Sequence, residues 1–184
     1  MPPIPHRVLL DTNIVNFILD HDGCIFENEA VPNELREQDV RDIHALRGVF
    51  MVGERAHWEM AISPATYREV WATPDPHRRA RLKSLLDQFW EPWRDTFDED
   101  LDLDDGHAFD LARRFEQAEF LKVFPDATDR ELLAHAVAYG CDAMCTRDRR
   151  SILKRLDRAP NLPLSVLSPE DWWQLLLPHL KYGF

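Results

Sequence analysis

A three-layer α/β sandwich, with a central and mostly parallel sheet and helices on both faces, is the fold this sequence predicts. Short aliphatic runs at 8–10, 59–62, 143–146 and 164–167 alternate with longer stretches whose apolar residues recur at helical spacing. Strands that alternate with helices pair in parallel through crossovers, which gathers their carboxyl ends and the following helix N-termini on one edge. Two of the runs break abruptly toward an acid: Val8-Leu9-Leu10 into Asp11-Thr12-Asn13, and Ala143-Met144-Cys145-Thr146 into Arg147-Asp148. Ligand sites of open parallel sheets lie along that edge.

Each element follows from local pattern. The run at 8–10 is too short for a buried helix and suits a strand covered on both faces. Ile14, Val15, Phe17, Ile18 and Leu19 then suit a helix, and 21–33 reads as a loop through the turn signals Asp22-Gly23 and Val31-Pro32-Asn33. A helix over 34–54 carries an apolar stripe of Val40, Ile43, Leu46, Val49, Phe50 and Met51. Residues 59–62 form a strand, expected at the centre of the sheet. Ser63-Pro64 then opens a helix with a hydroxyl cap and a proline in its first turn. Tyr67, Val70 and Trp71 are that helix's packing residues, and it stops before Thr73-Pro74.

A helix over 77–93 follows, with Leu82, Leu85, Leu86 and Phe89 at helical spacing. Asp100, Asp102 and Asp104 are spaced like the start of a calcium loop. Gly106 comes one place late, however, and Leu111 stands where a bidentate Glu is needed, so 98–105 reads as a solvated loop. After a helix over 107–123, Pro125-Asp126-Ala127-Thr128-Asp129 opens one that runs to Gly140, with Leu132, Leu133, Ala136 and Val137 buried. Asp129 projects to that same side, where acids are rare unless paired or metal-bound, and His135 falls on the polar side. Residues 164–167 are the last strand, and Ser168-Pro169-Glu170 starts a final helix carrying Trp172, Trp173, Leu175 and Leu176.

Composition narrows the class. The 184 residues fit one domain, and 45% apolar with 30% charged residues excludes disorder and fibrous architectures. No apolar run approaches the ~20 residues of a membrane span, and the first residues lack a signal peptide's apolar core, so a cytoplasmic protein without membrane partners is expected. Cys24, Cys141 and Cys145 are an odd number with no disulfide framework and read as buried thiols. A net charge of −11 argues against broad coating of nucleic acid but not against a local basic edge. Two such groups exist: Arg147, Arg149, Arg150, Lys154, Arg155 and Arg158, and upstream Arg78, Arg79, Arg81 and Lys83. A solvated helix face is the ordinary meaning of either.

Asp11, Asp129 and Asp148 therefore gather at the carboxyl edge, with Glu69 on the helix after 59–62. Carboxylates sharing a pocket raise one another's pKa unless cations hold them together, and a set of oxygens without His or thiolate suits Mg2+ or Mn2+. Each acid also has a plain reading. Asp11 and Asp148 fit helix caps. Asp129 fits a capping box with Asp126, although Thr128 and Glu131 make a better one, and Asp126 is the alternative ligand. Glu69, beside Arg68, fits an ordinary surface acid.

The chain resembles a PIN-domain nuclease. The resemblance rests on Leu9-Leu10-Asp11-Thr12-Asn13, on Ile62-Ser63-Pro64 followed by Glu69, and on 126–129 with Leu132-Leu133-Ala134 and Gly140-Cys141-Asp142. Cys145-Thr146-Arg147-Asp148 and 164–169 complete it, so nearly the whole chain is covered. It implies a single PIN-like domain over 1–184 and a metal-binding acidic quartet of Asp11, Glu69, Asp129 and Asp148, supported by the polar groups of Asn13 and Thr146. Residues 20–58, a loop plus helix, are larger than compact members need, and the acidity is unusual for an enzyme that cuts RNA.

The expected activity is metal-dependent endoribonuclease action with Mg2+ or Mn2+. One cation would orient and deprotonate an in-line water, and a second, if present, would stabilise the leaving oxygen. Arg147, Arg149 and Arg150 are expected on the substrate's phosphates. A toxin of a toxin–antitoxin module is one role such folds fill, so the expected partners are an RNA substrate, an antitoxin protein and a second copy of the chain in a homodimer. The alternative is a catalytically inactive PIN-like module that binds RNA or protein. An ester hydrolase with an Asp nucleophile is disfavoured, because Asn13 stands where a second Asp, two residues after Asp11, would be needed.

Overall fold

Four short strands, β1 (Arg7–Leu10), β2 (Glu59–Ile62), β3 (Ala143–Cys145) and β4 (Ser165–Leu167), form one all-parallel sheet in the order β2-β1-β3-β4. The computed structural model describes residues 4–56, 58–100 and 105–180, with side chains described outside 54–56, 89–100 and 105–109. The helices are α1 (Thr12–Asp20), α2 (Asp22–Phe26), α3 (Glu37–Ala56), α4 (Pro64–Trp71), α5 (Pro76–Asp100), α6 (Asp105–Glu116), α7 (Ala127–Ala138) and α8 (Pro169–Leu180).

Successive strand residues point to opposite faces, and this alternation builds two cores. Val8, Leu10, Ile62, Ala143 and Cys145 pack against Ile14 and Ile18 of α1, Ile43 and Leu46 of α3, Leu82 and Leu86 of α5, and Trp172 of α8. On the other face, Leu9, Ala61 and Met144 pack with Leu132, Leu133 and Ala136 of α7 and Ala112 of α6. Leu9 and Leu10 are each fully buried on their respective sides, worth about 2 kcal/mol apiece. The three-layer α/β sandwich expected from the aliphatic runs is thus the observed architecture.

Register brings the strand ends level. Leu10 lies beside Ile62 and Cys145, and Cys145 beside Leu167, so the four strands end in one row. The next residue of each strand, Ser63, Asp11, Thr146 and Ser168 in sheet order, is polar and buried. A polar row at the carboxyl edge of an apolar sheet must be satisfied locally, and this row forms the floor of the candidate site.

Several expectations need correction. β2 is an edge strand, not the central one; β1 and β3 are central. The 21–33 stretch contains α2, whose Cys24 and Ile25 are buried. α3 runs over Glu37–Ala56 rather than 34–54. Met51 of α3 is 67% exposed and Trp71 of α4 54%, although their spacing predicts packing residues. α5 continues past 93 to Asp100, and α6 resumes at Asp105, so the predicted acidic loop is helical at both ends, with 101–104 outside the described residues. The 107–123 helix stops at Glu116 and is followed by a 3-10 turn at Glu119–Leu121, while the pattern after Asp148 is a 3-10 segment, Leu153–Arg158. His135 is buried, with Nδ1 on the Glu131 carbonyl at 2.8 Å, and burial lowers its pKa. Ala134 and Ala138 of α7 are buried beside it, so the second half of the helix is covered on the side where His135 lies, while Thr128 to Glu131 stay at least partly exposed.

Candidate functional site

Asp11 sits at the N-cap position of α1, yet its side chain makes no cap hydrogen bond. It turns instead along the edge row: Oδ2 accepts from Thr146 Oγ1 at 2.6 Å and from Asn13 Nδ2 at 2.5 Å. Asn13 reaches further, its Oδ1 accepting the Arg147 amide at 2.9 Å. Thr146 Oγ1 in turn accepts the Asp148 amide at 3.0 Å, so one hydroxyl joins the two strand-end acids. Burial pushes the Asp11 carboxyl up to about 6, the Thr146 hydrogen bond partly offsets this, and the charge of Glu69 adds to the rise. Glu69 itself is exposed on α4, within electrostatic reach of Asp11.

The second pair is Asp129 and Asp148. The hydroxyl of Ser151 lies 2.7 Å from Asp129 Oδ2 and 2.5 Å from Asp148 Oδ2, so one proton serves two carboxylates. Burial raises the pKa of Asp129; the Ser151 bond opposes this, and the negative charges of Asp148 and Asp126 reinforce it. Burial also pushes Asp148 up, but hydrogen bonds from the Ser151 hydroxyl and from the amides of Ser151, Arg150 and Ile152 outweigh it and hold the group below its usual range. Asp148 Oδ1 accepts the Arg150 and Ser151 amides at 2.9 and 2.7 Å, which closes the 148–151 turn and caps no helix, since the 3-10 segment that follows has Ile152 at its N-cap.

Asp126 is the N-cap of α7, its Oδ1 accepting from the Thr128 and Asp129 amides, so the Thr128/Glu131 capping box does not form. Arg147 does not face outward. Its guanidinium stacks over the Phe17 ring at 3.5 Å, donates to Asp42 Oδ2 at 2.8 Å and pairs with Asp39. Asp42 is fully buried, and α3 supplies both acids, so the enlarged 20–58 region anchors the loop that carries Asp148. Arg149 also turns toward this cluster, 3.3 Å from Asp42 and 3.2 Å from Glu170. Arg147 and Arg149, expected on the substrate's phosphates, thus form ion pairs within the fold, whereas the Arg150 side chain makes no ion pair or hydrogen bond with a described residue.

Two groups lie beyond the sequence reading. Ser151 is one, although an Asp followed three residues later by a hydroxyl is a recognisable capping spacing. The buried hydroxyls of Ser63, Thr66 and Thr12 are the other, a chain with Oγ contacts of 3.1 Å between Ser63 and Thr66 and between Thr66 and Thr12. They tie the first turn of α4 to that of α1, below Glu69 and Asp11.

In kind, the donor set fits a hard divalent cation: four carboxylates and two hydroxyls, all oxygen. In arrangement, Asp129 and Asp148 meet at Ser151 and Asp11 connects to Asp148 through Thr146, and among the described residues no three His, Cys, Asp or Glu converge closely enough to cage an ion. Mg2+ is ordinarily held by one or two carboxylates together with water and substrate phosphate, not by an all-protein cage, so Asp129 with Asp148 fits such a ligand. The thiols do not compete: Cys141 and Cys145 are buried, which raises both pKa values. No family model, curated protein or solved structure matches the chain. No helix among the described residues is long and apolar enough to cross a membrane.

Proposed function

We propose that the protein is a metal-dependent endoribonuclease of PIN-domain type, hydrolysing RNA phosphodiester bonds at the carboxyl edge of its sheet. The observation that carries this reading is the pair of carboxylates, Asp129 and Asp148, meeting at one hydroxyl beside a buried strand-end Asp11 whose pKa is raised to about 6. At this edge the buried Asp11 and the half-buried Asp129 carry raised pKa values, a cost that a bound cation would offset.

Asp129 and Asp148 would hold a Mg2+ or Mn2+ ion, with Asp11 and Glu69 completing the ligand set. A cation held there would polarise the phosphate and lower the pKa of a bound water. Asn13 and Thr146 fix the orientation of Asp11 through its Oδ2 and leave the other carboxylate oxygen to accept a proton or a ligand. The Arg147 cluster keeps the 146–148 turn rigid. Low surface basicity suits a protein regulated by a basic antitoxin, with homodimerisation as a further element of the proposal.

That no three acids among the described residues converge closely enough to cage an ion favours a second reading, a PIN-like module that holds RNA or a protein partner without cutting. Incubation of single-stranded RNA with the purified protein and Mn2+ separates the two. Metal-dependent cleavage that disappears in a folded Asp129→Asn variant supports the nuclease; RNA binding without cleavage at any divalent metal supports the module.

A further inference from the structure

We infer that the 150–158 segment is a track for the phosphates of one polynucleotide strand leading out of the acidic site. It rests on the nuclease proposal for the chemistry of its ligand. Between 147 and 158 the chain carries six cations against two acids, in a protein of net charge −11. Arg147 and Arg149 turn inward to Asp39, Asp42 and Glu170. Arg150, Lys154, Arg155 and Arg158 form no ion pair and no side-chain hydrogen bond with any described residue, and all but Arg155 are exposed.

The other basic group offers nothing comparable. Arg78 pairs with Asp20, Arg81 with Asp22 and Lys83 with Asp87, while Arg79 donates to the Thr73 carbonyl. Arg78, Arg81 and Lys83 are neutralised by those acids, whereas Arg150, Lys154 and Arg158 have no acid paired with them among the described residues.

Position supplies the remaining argument. The segment begins at the site itself, because Asp148 accepts the Arg150 and Ser151 amides and Ser151 contacts Asp129. Arg155 lies near enough to Asp129 for its charge to stabilise that carboxylate. From there the 3-10 segment Leu153–Arg158 extends about 12 Å at ~2 Å per residue, and its three-residue turn puts Arg155 and Arg158 on one side. A strip one segment wide fits a single strand. The second strand of a duplex would lie over the acidic remainder of the surface, where phosphates are repelled. Guanidinium forks bind phosphate oxygens in a bidentate way, and the strip opens onto a site read as acting on phosphodiesters, which favours a polynucleotide over an acidic peptide.

The test uses the full chain, a fluorescent single-stranded RNA of mixed sequence, and Ca2+ in place of Mg2+ so that binding is read without cleavage. The Arg150→Gln/Arg158→Gln variant, which removes one cation at each end of the segment, should flatten the dependence of log affinity on log salt by about 1.4, at ~0.7 per lost phosphate contact, while an Arg81→Gln control leaves it unchanged. Manganese affinity and thermal melting should match wild type. An unchanged slope in the double variant overturns the track, as does equally tight duplex binding, tighter binding of polyglutamate than of RNA, or no RNA binding at all. Cleavage is scored separately with Mn2+. A wild-type protein that cuts RNA while the double variant keeps its slope refutes the track alone. One that binds with the predicted slopes and never cuts supports the track and refutes the nuclease.

Discussion

Replacing Asp11 with Asn should remove a pH-dependent loss of stability whose size follows from the burial of this one carboxyl. In the folded, metal-free protein Asp11 titrates near 6, and in the unfolded chain near 3.9. Because the folded pKa is the higher, the native state binds more protons than the unfolded state between these values. The contribution is fully present below about pH 4 and is lost as pH rises through 6. Two pKa units correspond to about 3 kcal/mol. Asp129, with a raised pKa, and Asp39 and Asp148, with lowered ones, also shape the profile, but both proteins share them, so the difference isolates Asp11. The amide retains an oxygen for Thr146 and Asn13 and cannot ionise. Urea unfolding at intervals from about pH 4 to pH 7 in chelator should therefore show wild type losing ground to Asp11→Asn by roughly 3 kcal/mol across the window. Added salt should change this little, because burial is the leading cause and the exposed Glu69 a lesser one. Mn2+ at a hundredfold excess over Kd should close most of this gap, adding about 2.7 kcal/mol to wild type and much less to Asp11→Asn. Parallel profiles for the two proteins would show that Asp11 is not buried as described and would remove the electrostatic basis of the site.

Three further outcomes rest on the same contacts. Arg147→Ala strands the fully buried Asp42 with Arg149 and Gln38 as its remaining partners and should cost about 3–5 kcal/mol in urea unfolding, while Arg150→Ala should change stability by less than about 0.5 kcal/mol. Ser151→Ala removes the hydroxyl shared by Asp129 and Asp148, so the metal-free protein should lose about 1–2 kcal/mol; an unchanged melting curve would mean that the two carboxylates do not meet there. Asp126→Ala should lower stability by about 1 kcal/mol through loss of the α7 cap and leave Mn2+ affinity, measured by calorimetry, unaltered; a large drop in that affinity would restore Asp126 as a ligand.

What the sequence by itself determined is the part of this protein that depends on short-range pattern. The aliphatic runs ending at Leu10, Ile62, Cys145 and Leu167 marked the four strands because the doubly covered part of a strand is apolar, and the acids just beyond two of them marked the polar carboxyl edge of the sheet. Ser63-Pro64 marked the start of α4 because hydroxyl cap and proline act within one turn. Tertiary structure alone decided which side chains are already committed. Arg147 lies against Asp39 and Asp42 of α3, which are distant from it in sequence; Asp129 and Asp148 are expected on one edge, but only the folded 148–151 turn places Ser151 between them. Burial of His135 and exposure of Trp71 were equally out of reach, since a helix's own periodicity does not say how many neighbours will cover it. Charge pairing and coverage are set by residues far apart in the chain, and only the packed fold brings them together.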